Sequence, residues 1–462
     1  MATIARGAPD RFAVATACPC CGAPLDFGEG SNAIRCAHCS VNLLVTGRRQ
    51  VLSYFIPPKL EAADALAMAR RAHSTSGWNA GSTEPRLYFV PYYRMTGSEF
   101  RWEKVRTPLE ERRGLGNFVP QVRSLVGRLT LVASGLINPA EDRIEFGHRL
   151  IEKSFVACEA PELGVYSLGV RPEVLRLELF RRELLEARGR VVGVDLPADR
   201  AMERGLKSPG DGVVVHREVV ERMLALIYFP FWVLGMARNG TSQLAIVDAV
   251  SSQVIESDAR VKLLERLDQG TATDGQVLGF RPLVCPNCGW DLPVRPDDVI
   301  FVCGGCTRAW QIVGDRLDPV PVEVVEAAPG TRCDSVKYLP IWVVGGGDDP
   351  RRRHFVPAFR YRRLELINDL ATRLTRKSPS YSVTRGETLE LHGCALDRED
   401  AIALARFISA DPRGEPGAPR RGTIPPPGNA DEARLTWFPF TVDAYAVRDS
   451  FTGTSLPKRI LD

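Results

Sequence analysis

Eight of the twelve cysteines fall into a pattern that can do chemistry. Cys285-Pro-Asn-Cys288-Gly289 is followed, after fourteen residues, by Cys303-Gly-Gly-Cys306, and Cys18-Pro-Cys-Cys21-Gly22 is followed after the same fourteen by Cys36-Ala-His-Cys39. A Cys-x-x-Cys knuckle turns tightly enough to aim two thiolates at one ion, and the glycine after it lets backbone N–H groups approach the sulfurs. Two knuckles complete a tetrahedral site with bonds of about 2.3 Å and no position left for water, so the ion is structural rather than hydrolytic. The predicted ligands are Cys18, Cys21, Cys36 and Cys39 for one ion, and Cys285, Cys288, Cys303 and Cys306 for a second. Four thiolates suit Zn²⁺, and a mononuclear iron centre of rubredoxin type would use the same set. Disulfides are the alternative, but paired knuckles at matched spacing favour metal. Cys20 lies inside the first knuckle and could compete, yet only Cys18 with Cys21 keeps the two-residue gap of the other three. His38 reads as a solvent-facing loop residue rather than a fifth ligand.

These stretches resemble the zinc-ribbon family. The resemblance covers residues 18–39 and 285–306. It implies a small β-hairpin fold and no activity.

The elements that must hold two such sites are set by the rest of the chain. At 462 residues, two or three domains are expected. With 44% apolar and 25% charged residues, the composition is that of a folded protein. A net charge of +4 gives no overall cationic excess for nonspecific nucleic-acid binding. The first ten residues have no apolar core of a secretory signal, and a reducing, cytoplasmic compartment would keep the thiolates together with Cys20, Cys158, Cys333 and Cys394. Met223 to Ala237 is uncharged but short of the ~20 residues a bilayer span needs, so it reads as a buried strand; peripheral membrane insertion is the lesser reading. Many Arg and few Lys are compatible with a high-GC bacterial source.

Along the chain, Lys59–Arg71 repeats Leu60, Ala63, Leu66 and Ala67 at helical spacing. Arg86–Met95 reads as a strand whose Pro91 needs an edge or bulge. Residues 97–150 mix arginines (Arg101, Arg106, Arg112, Arg113, Arg123, Arg128) and Lys104 with Glu103, Glu110 and Glu111, among Phe100, Trp102 and Phe118. A salt-bridged surface outranks a nucleic-acid face here, because a binding footprint should be of one sign. Pro172–Ala187 and Arg217–Leu226 read as helices, the first with a strand at its start as an alternative. Gln243–Ile255 reads as two strands around an Asp248–Ser252 turn. Val261–Leu267 reads as a short helical linker before a break at Gly270–Gly275, and Arg362–Arg376 as a helix. Residues 411–430, rich in Pro, Gly and Arg, are expected to form a mobile loop.

Aromatic-Pro groups recur at Phe55-Ile-Pro57, Tyr88-Phe-Val-Pro91, Tyr228-Phe-Pro230, Tyr338-Leu-Pro340, Phe355-Val-Pro357 and Trp437-Phe-Pro439. Their matched order behind each cysteine stretch suggests a tandem duplication. The expected fold class is α+β: two four-cysteine ribbons (14–47 and 281–316), each attached to an antiparallel sheet with packed helices (48–270 and 317–462).

No phosphate-binding Gly-x-x-x-x-Gly-Lys, Gly-x-Ser-x-Gly elbow or His-Glu-x-x-His helix is present. His392 with Cys394 is the nearest nucleophile pair, without a third group; Asp211 and His216 read as turn and strand-end residues. The function expected is a non-enzymatic scaffold or adaptor in which zinc is structural and exposed aromatic-Pro edges or ribbon tips meet a protein partner. The alternative is a nucleic-acid-binding protein of transcription or replication, with nucleic acid as the second-ranked partner.

Overall fold

A computed structural model describes residues 11–47, 51–74, 77–80, 83–106, 142–159, 163, 175–207, 214–256, 263, 267, 278–295, 297–327, 336–346, 349–360, 363–384, 389–411, 425–428 and 432–461. The first cysteine stretch lies among β1 (Ala13–Ala17), β2 (Pro24–Gly28), β3 (Ala33–Arg35) and β4 (Asn42–Thr46). Next come β5 (Leu52–Phe55), α1 (Ala62–Ala72), β6 (Asn79–Ala80), β7 (Arg86–Arg106), β8 (Asp142–Val156) and β9 (Arg176–Leu179). The first half continues with α2 (Arg182–Glu186), β10 (Arg190–Val191), α3 (Ala198–Leu206), β11 (Val214–Arg238), β12 (Thr241–Asp248) and β13 (Val254–Glu256). Then β14 (Gly279–Pro282), β15 (Ile300–Val302), β16 (Ala309–Val313) and β17 (Arg316–Val320) carry the second stretch. The remainder is β18 (Glu323–Val325), β19 (Val336–Val344), β20 (His354–Pro357), α4 (Leu364–Lys377), β21 (Val383–Thr384), α5 (Arg398–Ser409), β22 (Arg434–Val442), β23 (Ala446–Asp449) and β24 (Ser455–Pro457).

The class is α+β, but the sheets are mixed rather than antiparallel. The larger, of eleven strands, is built on the antiparallel pair β7 and β11, and the smaller, of seven, on β19 and β22. Parallel partners enter both: β5 on β11, β10 on β7, β1 on β9, and β18 on β22.

Proline explains how central strands change partners. In β7 the carbonyls of Phe89 and Pro91 face one neighbouring edge, accepting from Val192 and Ala157 N–H. Pairing with β10 ends at Phe89 and pairing with β8 begins at Tyr92, so Pro91 stands at the change, where its missing N–H leaves no ladder bond unmade. Pro230 stands likewise between β5, paired up to Tyr228, and β12, paired from Phe231. Pro340 and Pro439 do the same in the smaller sheet: Pro340 between the Leu391 bridge to Tyr338 and β20, Pro439 between β18 and β23. Pro91 is therefore interior, not at the sheet edge.

The register repeats as well. Tyr228 lies opposite Pro91 and Pro230 opposite Phe89, while Tyr338 lies opposite Pro439 and Pro340 opposite Trp437. Ala157 N–H donates to Pro91 and Ala358 N–H to Pro340; Asp195 N–H then donates to the Ala157 carbonyl and Ala395 N–H to that of Ala358. The Asp248 carboxylate caps the N–H groups of Val250 and Ser251, and Asp449 those of Phe451 and Thr452, with Ser252 and Gly453 at φ 68° and 70°.

Several expectations change. Arg217–Leu226 is strand, part of β11, because Val219, Leu224 and Leu226 meet one apolar cluster in a sheet and no 3.6-residue face is needed. Arg176–Leu179 is strand and only Arg182–Glu186 is helix. At α1 Leu60 and Leu66 pack inward as expected, beside the buried Ala65 and Ala69, while Ala63 and Ala67 of the expected stripe are exposed. The aromatic-Pro residues are not exposed: Tyr228, Phe229, Phe89, Trp437 and Phe438 are core side chains, consistent with strands covered on both faces. Met223–Ala237 is buried strand as expected. Arg112, Arg113, Phe118, Arg123, Arg128, Asp211, Gly270–Gly275, Cys333 and most of 411–430 lie outside the described residues, as do most of Val261–Leu267, of which Leu263 and Leu267 are buried. Among the described residues no helix is long and apolar enough to cross a membrane.

The two sheets meet through α5. Trp102 stacks on Phe407 at 5.0 Å with rings 3° from parallel, and its indole N–H donates to the Phe407 carbonyl. A fully buried indole needs such an acceptor.

Candidate metal centres

Each knuckle is shaped by its backbone. Gly22 N–H donates to the Cys18 carbonyl and Gly289 N–H to that of Cys285; both glycines have positive φ, 72° and 76°. An L side chain is disfavoured there, which is why glycine follows each first knuckle. The second knuckles close with Ser40 N–H on the Cys36 carbonyl and Thr307 N–H on that of Cys303, at φ 59° and 55°. The hairpins are pinned from outside by Cys18 N–H to Ala23, Cys285 N–H to Trp290, Cys36 N–H to Val41 and Cys303 N–H to Arg308.

The sulfurs then converge. Cys18 to Cys39 and Cys21 to Cys36 are both 3.8 Å apart, Cys285 to Cys306 is 3.6 Å and Cys288 to Cys303 is 3.5 Å. All four sulfurs of each group lie within 4.8 Å of one another. Sulfurs bonded at about 2.3 Å to one tetrahedral ion stand about 3.8 Å apart, whereas a disulfide brings two to about 2.05 Å. The spacings fit shared ligation and not a disulfide, so both groups can hold a metal ion.

The electrostatics point the same way. Backbone N–H groups of Cys39 and His38 hold the Cys36 thiol down at about 6. Burial works against Cys285, but the N–H groups of Cys288 and Asn287 bring it to about 7. Burial pushes Cys303 up to about 12, with the Cys288 and Cys306 thiols adding and the Cys306 and Gly305 N–H groups opposing. One thiolate per cluster forms readily and its neighbours resist a second charge, which a cation among the sulfurs would relieve. Cys20 and His38 are exposed, outside the sulfur group.

Two features of the surroundings left no mark in any linear motif. Strand β14, which leads into the second cysteine stretch, pairs antiparallel with β4 of the first, Phe280 opposite Val45. The first stretch is also tied to the larger sheet by Arg94, which ion-pairs with Glu29 and Glu152 and lies over Phe12 at 4.6 Å. Asp297 extends this bridging, accepting from Arg11 at 2.7 Å and ion-pairing with Arg360 at 3.2 Å.

The other candidates separate. Cys394 is fully buried, donates to the Leu396 carbonyl at 3.1 Å, and its thiol is pushed far up by burial. His392 lies against Arg295 at 2.5 Å, and burial lowers it to about 4, with Arg295 adding. Burial thus favours the neutral thiol of Cys394 and the neutral imidazole of His392. His216 lies near the start of β11, opposite Trp102, in keeping with the strand-end reading. In the charged arm Arg149 pairs with Glu99 at 2.8 Å and Arg101 with Glu103 at 3.0 Å, while Phe100 and Trp102 are buried.

The clusters have the spacing and sulfur geometry of four-thiolate metal sites and suggest zinc ribbons. Compared with known protein families, curated proteins and solved structures, the chain matches none.

Proposed function

We propose that this is a non-enzymatic zinc-ribbon scaffold, with one structural Zn²⁺ in each four-cysteine site, that meets a protein partner through the tip of the second ribbon. Zinc supplies folding free energy to hairpins too small to hold a core alone. The observation that carries the reading is Trp290, 69% exposed beside the knuckle and set against Gly305, where a Cβ would come within 3.3 Å of the indole. An exposed tryptophan on a rigid, metal-fixed turn is a ready interface anchor.

The repeated proline register, the repeated Asp turns and the identical knuckle bonds support a tandem duplication of ribbon plus sheet. On this reading the units are 14–47 with 48–270, and 281–316 with 317–462, in a reducing, cytoplasmic, bacterial setting. The paired charges of the β7/β8 arm and the burial of its rings withdraw support from the nucleic-acid reading.

The test compares wild type with Trp290→Ala in capture from source lysate, followed by mass spectrometry. A protein retained by wild type and lost by the variant, with zinc content equal in both, supports the proposal. Identical capture by both, or recovery of nucleic acid that falls steeply with salt, contradicts it.

A further inference from the structure

Where the second sheet's helices face the arm of the first, a cleft of about 760 Å³ remains open. Its walls come from β7, β8, β11, β20, α4 and α5, with loop residues such as Asp297, Arg360 and Leu396 between them. Ligand pockets have about this size, are mainly apolar, and carry a few polar groups without protein partners.

This cleft has that character. Phe100, Val220, Val356, Phe407 and Ile408 are buried apolar residues on its wall. Asn368, on the inward face of α4, is only 7% exposed and lines the space. Its amide faces the same cleft as His148, whose Nε2 is buried with no hydrogen-bonding partner among the described residues. A buried imidazole nitrogen left without a partner costs stability unless something fills the site. Burial keeps the imidazole neutral, against the pull of Glu365, Glu221 and Glu99. At the rim, Glu221 and Asp297 are balanced by Arg360 and Arg459, and Arg360 is held by both acids at 3.1 and 3.2 Å. No net charge selects an ion. Leu150, 49% exposed, extends the apolar wall to the mouth.

The geometry points to a small-molecule site between the two sheets that takes an uncharged compound with an aromatic body and a carbonyl or hydroxyl group, hydrogen-bonded by Asn368 and His148. The rings of Phe100 and Phe407, 6.0 Å apart and edge to face, offer that body an aromatic wall. Because the site joins both sheets, a bound molecule would also tighten their contact.

The probe is Prodan, an uncharged naphthyl ketone whose emission moves to the blue in apolar surroundings, titrated into the full-length zinc-loaded chain. Saturable one-to-one binding is expected, weakened about threefold to tenfold by Asn368→Leu, which removes one neutral hydrogen bond and keeps the volume. Ala371→Phe fills the cleft from α4 and should abolish binding. Ile367→Trp, at a half-buried wall position, should do the same if the first filling variant does not fold. Equal zinc content and circular dichroism establish that each variant is folded. Uptake without saturation, or wild-type affinity in folded Asn368→Leu together with either folded filling variant, overturns the site.

Discussion

Replacing Arg94 by methionine should weaken the seat of the first ribbon on the larger sheet, which its strands β1 and β2 also join. In the native protein Glu29 is 0% exposed and Arg94 is 2% exposed, and the guanidinium is the ion-pair partner of that carboxylate. Burial already raises the Glu29 carboxyl, with Arg94 lowering it. Methionine keeps much of the volume and the contact with Phe12 but removes the charge, leaving a carboxylate stranded out of water. Breaking one side of a buried pair costs about 3–5 kcal/mol, whereas replacing both sides with neutral groups is often close to neutral. Arg94→Met should therefore lose about 3–5 kcal/mol in the first urea transition at pH 7.5. Adding Glu29→Gln in the same chain should recover most of it, even though Glu29→Gln alone is destabilising. The assay is urea unfolding followed by circular dichroism, with zinc release recorded in parallel to locate the transition in the ribbon. A loss below about 1 kcal/mol, or no recovery in the double variant, would refute the claim that this pair fixes the ribbon by charge compensation.

Cys285→Ser and Cys303→Ser should each lower zinc from two ions per chain to one and open the second ribbon to protease; unchanged zinc and protease resistance would refute ligation by these residues. A thiol reagent applied to native zinc-loaded protein should modify exposed Cys20 and spare buried Cys394, and labelling of Cys394 before unfolding would contradict its burial. Asp400, which accepts the Glu221 N–H at 2.7 Å between the sheets, is raised to about 7 by burial first and then by Asp397. Its folded pKa lies above the unfolded value of about 3.9, so its favourable contribution is complete below about pH 4 and is lost as pH rises through 7. Asp400→Asn should thus be more stable than wild type at pH 8, with the difference shrinking toward pH 5; a difference that grows on acidification would reverse the assignment.

The metal sites were legible because their information is local. A knuckle needs two cysteines and a tight turn, with glycine after the first knuckle of each pair, all within five residues, and the same spacing recurs in the structure as the same hydrogen bonds. The aromatic-Pro groups were legible as a repeat but not as a location. Read singly, Pro91 implies an edge or a bulge, since proline cannot donate within a ladder. Only the pairing of β10 and β8 along one side of β7 reveals an interior position where no donor is needed. Arg217–Leu226 was misread because its apolar residues fit a helix about as well as a strand buried on both faces, and partners more than a hundred residues away decide between them. The cleft around Asn368 and His148 had no sequence signal. Its walls are residues far apart in the chain, on β7, β8, β11, β20, α4 and α5, brought together by the packing of two sheets.

The central claim is that the eight cysteines hold two structural zinc ions. Elemental analysis of the purified, reduced chain tests it most directly. Two zinc ions per chain are predicted, falling to one in Cys303→Ser. Iron in place of zinc, or a chain that folds with no metal bound, would contradict it.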